Sequence, residues 1–376
     1  MRRCLLLVTL ETKSEESSFL TVALAALGVP VDLCDTSLGA EGAVWDGAKK
    51  TARIETVAED VADRLVTSDL RQVGAVVALG GGTGGDIALR IMARFPEGLQ
   101  KLLISPMPFD PRPFLADTPI TLVPSVVDIA GLNPTLRQVL GDAAAMIAGL
   151  CAAPEPHSEA VKTIGLTALS ATGPAAENIT AALRVQGHEV TTFHANGFGG
   201  AGFARFCARG VFSGVIDMTC HELTRMALAG DHVDMPDRFT AAGNTARVVL
   251  PGGLNFLGLG SMASLLPDHR TRPLFQHSGL FTHVKLTQDE MAQIAQRLAD
   301  ALNQGSRPAR VLVPMGGFSH RDCPGGELED PELRNTCLDV LTQNARRFCV
   351  KAIPHHINAP ETAQAAVAAL NVLLQE

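Results

Sequence analysis

Short apolar runs alternate along the chain with longer stretches whose apolar residues recur at helical spacing. Residues 4–9 form an unbroken apolar run, and a polar turn then leads into a helical pattern over 15–27. Gly28 stops that helix, and 29–34 reads as the next strand. A helix over 54–67 precedes 74–79, Gly-Ala-Val-Val-Ala-Leu, which has no polar face. Runs of that kind belong to parallel sheets covered by helices on both sides. A helix over 86–95, a strand over 102–105, an apolar segment over 120–129 and an Ala-rich helix over 136–150 follow.

Residues 151–160 hold two prolines and few apolar positions, and we read 153–160 as a linker. The pattern then restarts: strand 163–168, helix 175–186 stopped by Gly187, strand 189–194, helix 203–209, strand 214–218. Strands over 248–250, 309–313 and 350–353 and helices over 288–303 and 359–374 are expected beyond it. The shared rhythm predicts an α/β protein with two Rossmann-like, doubly wound lobes, 1–152 and 161–376, with mostly parallel sheets and a cleft between them.

Composition narrows the function. Apolar residues make up 46% of 376 positions, enough for sizeable cores, so disorder is excluded. The formal charge of −8 argues against a nucleic-acid partner or an anionic membrane surface. Tyrosine is absent and Trp45 is the single tryptophan, which disfavours aromatic-rich readers of RNA or sugar. Eight cysteines without a CxxC pair point to a reduced, cytoplasmic protein rather than a zinc ribbon or a disulfide scaffold. The start, Met-Arg-Arg-Cys-Leu-Leu-Leu-Val, imitates a secretory leader but meets Glu11 and Lys13 at once. No run of about 18 apolar residues is present, so no membrane span is expected.

The strongest local signal is Gly80-Gly81-Gly82-Thr83-Gly84-Gly85, between an expected strand and an expected helix. Glycine lets a ligand approach the backbone, and a helix N-terminus offers unpaired N–H groups with a positive dipole end. The alternative is a tight strand–helix turn. A P-loop is excluded, because Asp86 stands where its Lys would be. A dinucleotide fingerprint fits poorly, because the loop comes one βαβ unit late and strand 102–105 ends in Ser-Pro rather than in an acid for a ribose. A second glycine loop, with Asn196, Gly197, Gly199 and Gly200, follows the strand over 189–194. Two such turns facing one another would hold one polyphosphate.

Other candidates lie at expected strand ends, where α/β sites form. Thr12 and Lys13 would meet phosphate, and Glu11 would hold Mg²⁺ or a hydroxyl, unless Thr9 to Ser14 is a solvated turn. Asp217, Thr219 and Glu222 follow the strand over 214–218. Asp128 and Asn133 form a polar pair, with Asn133 also a natural cap for the helix begun by Pro134. Ser319, His320 and Asp322 can be written as a triad, but adjacent residues point apart and no GxSxG elbow is present. His355 and His356 are adjacent and unlike a metal pair; an orienting or structural role suits them better.

Together these strings resemble a bacterial family that shares the ATP-binding inhibitory domain of a plant tomato-mosaic-virus resistance protein. The matching strings are Thr9-Leu10-Glu11-Thr12-Lys13, the loop at Gly80, Ser125-Val126-Val127-Asp128 through Asn133, Phe193 to Gly200 and Gly214 to Glu222. Asp237-Arg238, Pro251-Gly252-Gly253-Leu254, His277, Gly317-Phe318-Ser319 with Asp322, and His356-Ile357-Asn358 follow in order. The resemblance implies two Rossmann-like lobes, a homodimer or higher homo-oligomer, and ATP bound with Mg²⁺ near the glycine loops. We therefore expect phosphate contacts from Thr12, Lys13, the Gly80 to Gly85 loop, Asn196, Gly197, Gly199, Gly200 and Thr219. Catalytic acids are expected among Glu11, Asp217 and Glu222, with a small-molecule substrate near Asp128, Asn133, Gly252, Gly253, Asn255, His277, Gly317, Ser319 and Asp322. The expected class is an ATP-dependent phosphotransferase or ligase. The alternatives are a nucleotide-binding regulatory protein without turnover or, on the GxGxxG strings alone, a nicotinamide-dependent oxidoreductase.

Overall fold

A computed structural model describes residues 1–39, 46–153 and 163–376. The chain divides into two compact units, Met1–Ser158 and Glu159–Glu376. Most of the expected linker, 154–160, lies outside the described residues, as does Trp45.

In the first unit the strands are β1 (Arg3–Val8), β2 (Val31–Asp35), β3 (Val73–Leu79), β4 (Gln100–Ser105) and β5 (Thr121–Pro124). They form one parallel sheet in the order β2-β1-β3-β4-β5. Between them run α1 (Leu10–Ala26), α2 (Gly47–Val66), α3 (Gly82–Ala93), the single turn α4 (Arg112–Leu115) and α5 (Pro134–Ala152). Side chains alternate across each strand, and both faces find helices. Leu6, Val8, Val77 and Leu79 pack on Leu20 and Leu24 of α1 and Leu136 and Leu140 of α5. Leu5, Leu7, Val76 and Ala78 pack on Ile54 and Val57 of α2 and Ile87 and Leu89 of α3. Burial on both sides is why the strand sequences carry no polar face.

The second unit repeats the plan and enlarges it. Its strands β6 (Thr163–Ala168), β7 (Val190–His194), β8 (Phe212–Thr219), β9 (Ala246–Gly252), β13 (Ala309–Pro314) and β14 (Phe348–Ile353) lie in the order β14-β13-β9-β8-β6-β7, all parallel. Helices α6 (Gly173–Val185) and α12 (Pro360–Gln375) cover one face through Ile179, Leu183, Val367 and Leu370. Helices α10 (Gln288–Asn303) and α11 (Pro331–Asn344) cover the other through Ile294, Leu298, Leu333 and Leu341. Helix α7 (Gly199–Ala208) follows β7, α8 (Glu222–Ala227) follows β8, and α9 (Pro267–Arg270) is one turn. An antiparallel sheet, β10 (Phe256–Leu259), β12 (Thr282–Lys285) and β11 (Leu274–Gln276), joins the core through Leu257 and Val284.

The doubly wound α/β expectation holds in both units. Several helices start earlier than the sequence pattern suggests: α1 at Leu10, α3 at Gly82 and α7 at Gly199. In each case some of the loop residues proposed to meet a ligand, Glu11 to Lys13, Gly82 to Gly85, and Gly199 with Gly200, are themselves the first helical turn. The antiparallel sheet and α11 were not expected from the sequence. Strands of three or four residues leave too short a window for a period to show.

Candidate functional site

In the first unit the chain reverses direction across the sheet between β1 and β3, the place where open α/β sheets form ligand crevices. The loops leaving these strands converge there. Gly80 N–H is held by the Ile104 carbonyl at 3.1 Å, and Gly85 N–H closes the first α3 turn on the Gly81 carbonyl at 2.7 Å. Among the described residues, no protein acceptor takes the amides of Gly82, Thr83 or Gly84. Gly82 is exposed, and a Cβ placed there would meet only Pro108 Cγ at 3.4 Å. A Cβ on Gly84 would lie 3.4 Å from Thr9 Oγ1, so the β1 and β3 loops touch. Asp86, in the position of a P-loop Lys, is tied to Arg90 at 2.9 Å.

Around this helix end stand residues of the β1 loop. Thr9 and Thr12 share a hydroxyl contact of 3.3 Å. Lys13 interrupts α1 with φ −132° and ψ 27°, and no carboxylate among the described residues pairs with it. Glu11 is taken up by structure: its Oε1 accepts the Leu38 N–H at 2.9 Å. Asp35, at the end of β2, accepts from Leu10 and Ser37 N–H groups at 3.2 and 2.9 Å. Burial pushes its carboxyl up, but the Ser37 hydroxyl and these N–H groups outweigh that and hold it below the usual range.

The rim continues at the ends of β4 and β5 with two non-glycine residues in the left-handed region, Met107 (φ 51°) and Val126 (φ 63°). Ser105 joins them: its Oγ accepts from Met107 N–H and its carbonyl from Ser125 N–H, both at 3.0 Å. A β-branched residue at positive φ is strained, and Val126 is 83% exposed, so core packing does not account for the conformation. Asp128 accepts the N–H of its own neighbour Ile129 at 2.8 Å. Asn133 caps α5 through the Leu136 N–H at 3.0 Å.

The second glycine loop is different in kind. It follows β7, the edge strand, and its donors are used inside the protein. Glu222 Oε1 accepts the N–H groups of Gly197 and Gly200, each at 3.0 Å. Gly197 (φ +92°) is wedged against the Asp231 carbonyl, and a Cβ on Gly200 would strike the Glu222 carboxylate. Asn196 Oδ1 accepts from Arg225 at 2.6 Å. A carboxylate from the protein's own α8 thus fills the anion seat at the α7 N-terminus.

That carboxylate belongs to a fully buried ionic network. Arg238 Nε donates to Glu222 Oε2 at 2.6 Å, and its terminal nitrogens donate to Asp217 at 2.8 and 3.0 Å. Arg247 reaches Asp217 at 2.6 Å, and the Thr167 hydroxyl adds a fourth bond at 2.8 Å. Thr219 contributes its carbonyl to Arg238 at 3.1 Å and its hydroxyl to Thr172 at 2.8 Å. Burial alone would raise the Asp217 pKa, but Arg238 and Arg247 bring it down to about 2. Asp217, Thr219 and Glu222 all have 0% exposure, so they sit inside the unit rather than on a ligand-facing surface.

The remaining candidates gather at the ends of β9 and β13. Asn255 Nδ2 donates to Ser319 Oγ at 3.1 Å, and Gly253 N–H donates to the Phe318 carbonyl at 2.9 Å. Gly252 ends β9 against the Met218 carbonyl, and Gly317 (φ +139°) sits against His356 and the Asp322 carbonyl. His356 donates from Nε2 to the Ser319 carbonyl and accepts the Asn358 N–H at Nδ1, both at 3.0 Å, so both ring nitrogens serve the backbone. Asp322 Oδ2 accepts the Phe318 N–H at 2.8 Å, while Oδ1 accepts the Asp330 N–H at 3.2 Å and meets Arg334. Burial pushes its carboxyl up. No bond joins Asp322 to His320, and the written triad is not assembled.

Beside these lies a column of rings. His221 meets Phe256 at 4.5 Å, Phe256 meets His283 at 4.0 Å, and His283 is stacked on His277 at 5.2 Å with the planes 8° apart. Phe275 faces His320 edge-on at 5.5 Å, and Arg321 lies 4.1 Å over the Phe275 ring. Burial, the neighbouring imidazoles and Arg225 lower the His283 pKa to about 3; burial and Arg225 depress His221 well below its ordinary value.

These strings span both halves of the chain, and so do the matches to known proteins. The model described as "Uncharacterised protein family (UPF0261) C-terminal domain" matches residues 161–374, and its N-terminal counterpart matches 40–156. The chain belongs to the UPF0261 family. A UPF0261 protein of Mesorhizobium japonicum is 31% identical over 401 aligned positions, covering 99% of each chain. One from Rhizobium meliloti is also 31% identical, covering 98% of each. The ToMV resistance protein Tm-1(GCR237) of Solanum lycopersicum is 29% identical over 314 positions, which are 80% of this chain and 42% of that protein.

Within this UPF0261 chain, sequence reasoning missed Arg225, Arg247, His221 and His283 as members of organised clusters. The Asp237-Arg238 string had drawn notice only as a match. His283 lies in β12, a strand of four residues, too short for a period to mark it. Nothing local marks Arg238 as the partner of Asp217, 21 residues away. Among the described residues, no three His, Cys, Asp or Glu side chains are arranged to hold a metal ion, and no helix is long and apolar enough to cross a membrane.

Proposed function

We propose that the first unit binds a nucleotide, ATP in preference to NAD, with its phosphates on the amides of Gly82, Thr83 and Gly84 and with Lys13 as the counter-charge. The observation that carries this reading is the α3 N-terminus at the strand-order reversal, whose first amides have no acceptor among the described residues. Such an end is a ready anion seat, and Thr9 and Thr12 supply hydroxyls beside it. Mg²⁺ would arrive on the phosphates, retaining waters and few protein ligands, as this ion commonly does. The Gly80 to Gly85 loop follows β3 rather than β1, which is out of place for a dinucleotide fingerprint.

Gly82→Val is the direct test. The site has room for a Cβ, so the fold survives, while the branched side chain blocks approach to the amides. We expect ATP with Mg²⁺ to raise the melting temperature of the natural protein and to leave the variant unmoved. A shift with NAD and none with ATP would reverse the reading. Turnover of ATP over a panel of small acids and sugars, lost in the same variant, separates a phosphotransferase or ligase from a nucleotide-binding regulator.

A further inference from the structure

The described residues contain eight buried side-chain nitrogen or oxygen atoms without a hydrogen bond, one of which, Arg3 Nε, still has Asp32 at 3.0 Å. Five of them, Asn255 Oδ1, Thr282 Oγ1, His283 Nδ1, His320 Nδ1 and Arg321 Nε, fall in or beside the ring cluster of the second unit. A buried polar atom without a partner is costly, so such atoms rarely concentrate without something to meet them. His320 and Arg321 are only partly buried, which leaves a way in from solvent.

Two arginines, Arg225 and Arg321, act on this spot, and a proton on any one of its imidazoles is opposed by its neighbours. His283 feels His277, His320 and Arg225; His320 feels Arg321, His277 and His356. Of the acids nearby, Glu327 alone acts on this spot, and the others are engaged elsewhere. Glu327 reaches Arg321 only at 3.5 Å, Asp322 is turned to Arg334 and two N–H groups, and Asp330 pairs with Lys285 at 3.0 Å. In a chain of net charge −8, this corner is short of anions.

We propose that Arg321 and His320, backed by His283 and walled by Phe275 and His277, form a binding site for the carboxylate of a small organic acid. The guanidinium, laid over Phe275, presents a flat fork of donors suited to a planar carboxylate. One permanent cation balances a monoanionic group rather than a phosphate dianion. A carboxylate placed here also stabilises an imidazolium, so the ligand enters together with a proton. The site lies within the second unit and stands or falls independently of the nucleotide.

The test is calorimetry of the full chain near neutral pH with acetate, lactate and succinate, in two buffers of different ionisation enthalpy. Succinamide and inorganic phosphate serve as the uncharged and dianionic probes. We expect at least one acid to bind with uptake of a proton, and Arg321→Gln and His320→Gln each to weaken it by about tenfold or more without lowering the melting temperature. Arg321→Lys should recover part of the affinity, and Gly82→Val should leave it untouched. The proposal is overturned if none of the acids binds, if succinamide or phosphate binds as well as they do, if no proton is taken up, or if Arg321→Gln binds like the natural protein.

Discussion

Glu222→Ala separates a glycine loop that receives a ligand from one that receives the protein's own carboxylate. The side chain is wholly buried, and its two oxygens take three donors: Gly197 and Gly200 N–H at 3.0 Å and Arg238 Nε at 2.6 Å. Truncation strands two amides and half of a buried guanidinium. Removing one partner of a buried ion pair costs about 3–5 kcal/mol, a large part of the total stability of about 5–15 kcal/mol. Urea unfolding should therefore show the second unit falling by that amount, and amide exchange at Gly197 and Gly200 should accelerate. The vacated space has the shape of a carboxylate, so formate should restore part of the loss in Glu222→Ala and none in Glu222→Gln. A variant within about 1 kcal/mol of the natural protein, the net worth of one ordinary hydrogen bond, would refute this account of the loop.

Acid should weaken the second unit. His283 has its pKa lowered from 6.5 to about 3, so the unfolded chain binds the proton first. Stability is then intact above pH 6.5 and declines toward pH 3, by about 1.4 kcal/mol per pH unit for this one group; a melting temperature flat from pH 7 to 5 would contradict it. Val126→Gly should stabilise by about 1 kcal/mol, because relief of a strained φ exceeds the entropy that glycine adds to the unfolded chain; a lower melting temperature would sink the strain argument. Thr287 and Glu290 form a capping box at α10, and Thr287→Ala should cost about 1 kcal/mol by chemical denaturation.

Much of the scaffold can be read from the sequence because parallel strands buried on both faces leave continuous apolar runs, as at Val73–Leu79. Strand β6 and helix α10 have the bounds that their patterns predict. What the sequence hides is how polar residues are spent. Glu222 and Asp217 stand at strand ends like catalytic acids, yet Arg238 and Arg247 approach from far along the chain and enclose them. The two glycine loops look alike as strings, and only an acceptor placed 22 to 25 residues later tells them apart. Asn133 was readable either way, and its cap geometry places it on the structural side.

The closing helix α12 has a bearing on the order in which the chain matures. Its Val367 and Leu370 pack on residues of β6, β8 and β9, and Leu370 and Leu374 press against Gly214 in a central strand. The second unit therefore cannot seal its sheet until α12, which runs to Gln375, has been made. The first unit has all five of its strands by Pro124 and its last covering helix by Ala152. Vectorial synthesis should let the first unit settle early, while the second waits with part of one sheet face uncovered and its apolar surface exposed for longer.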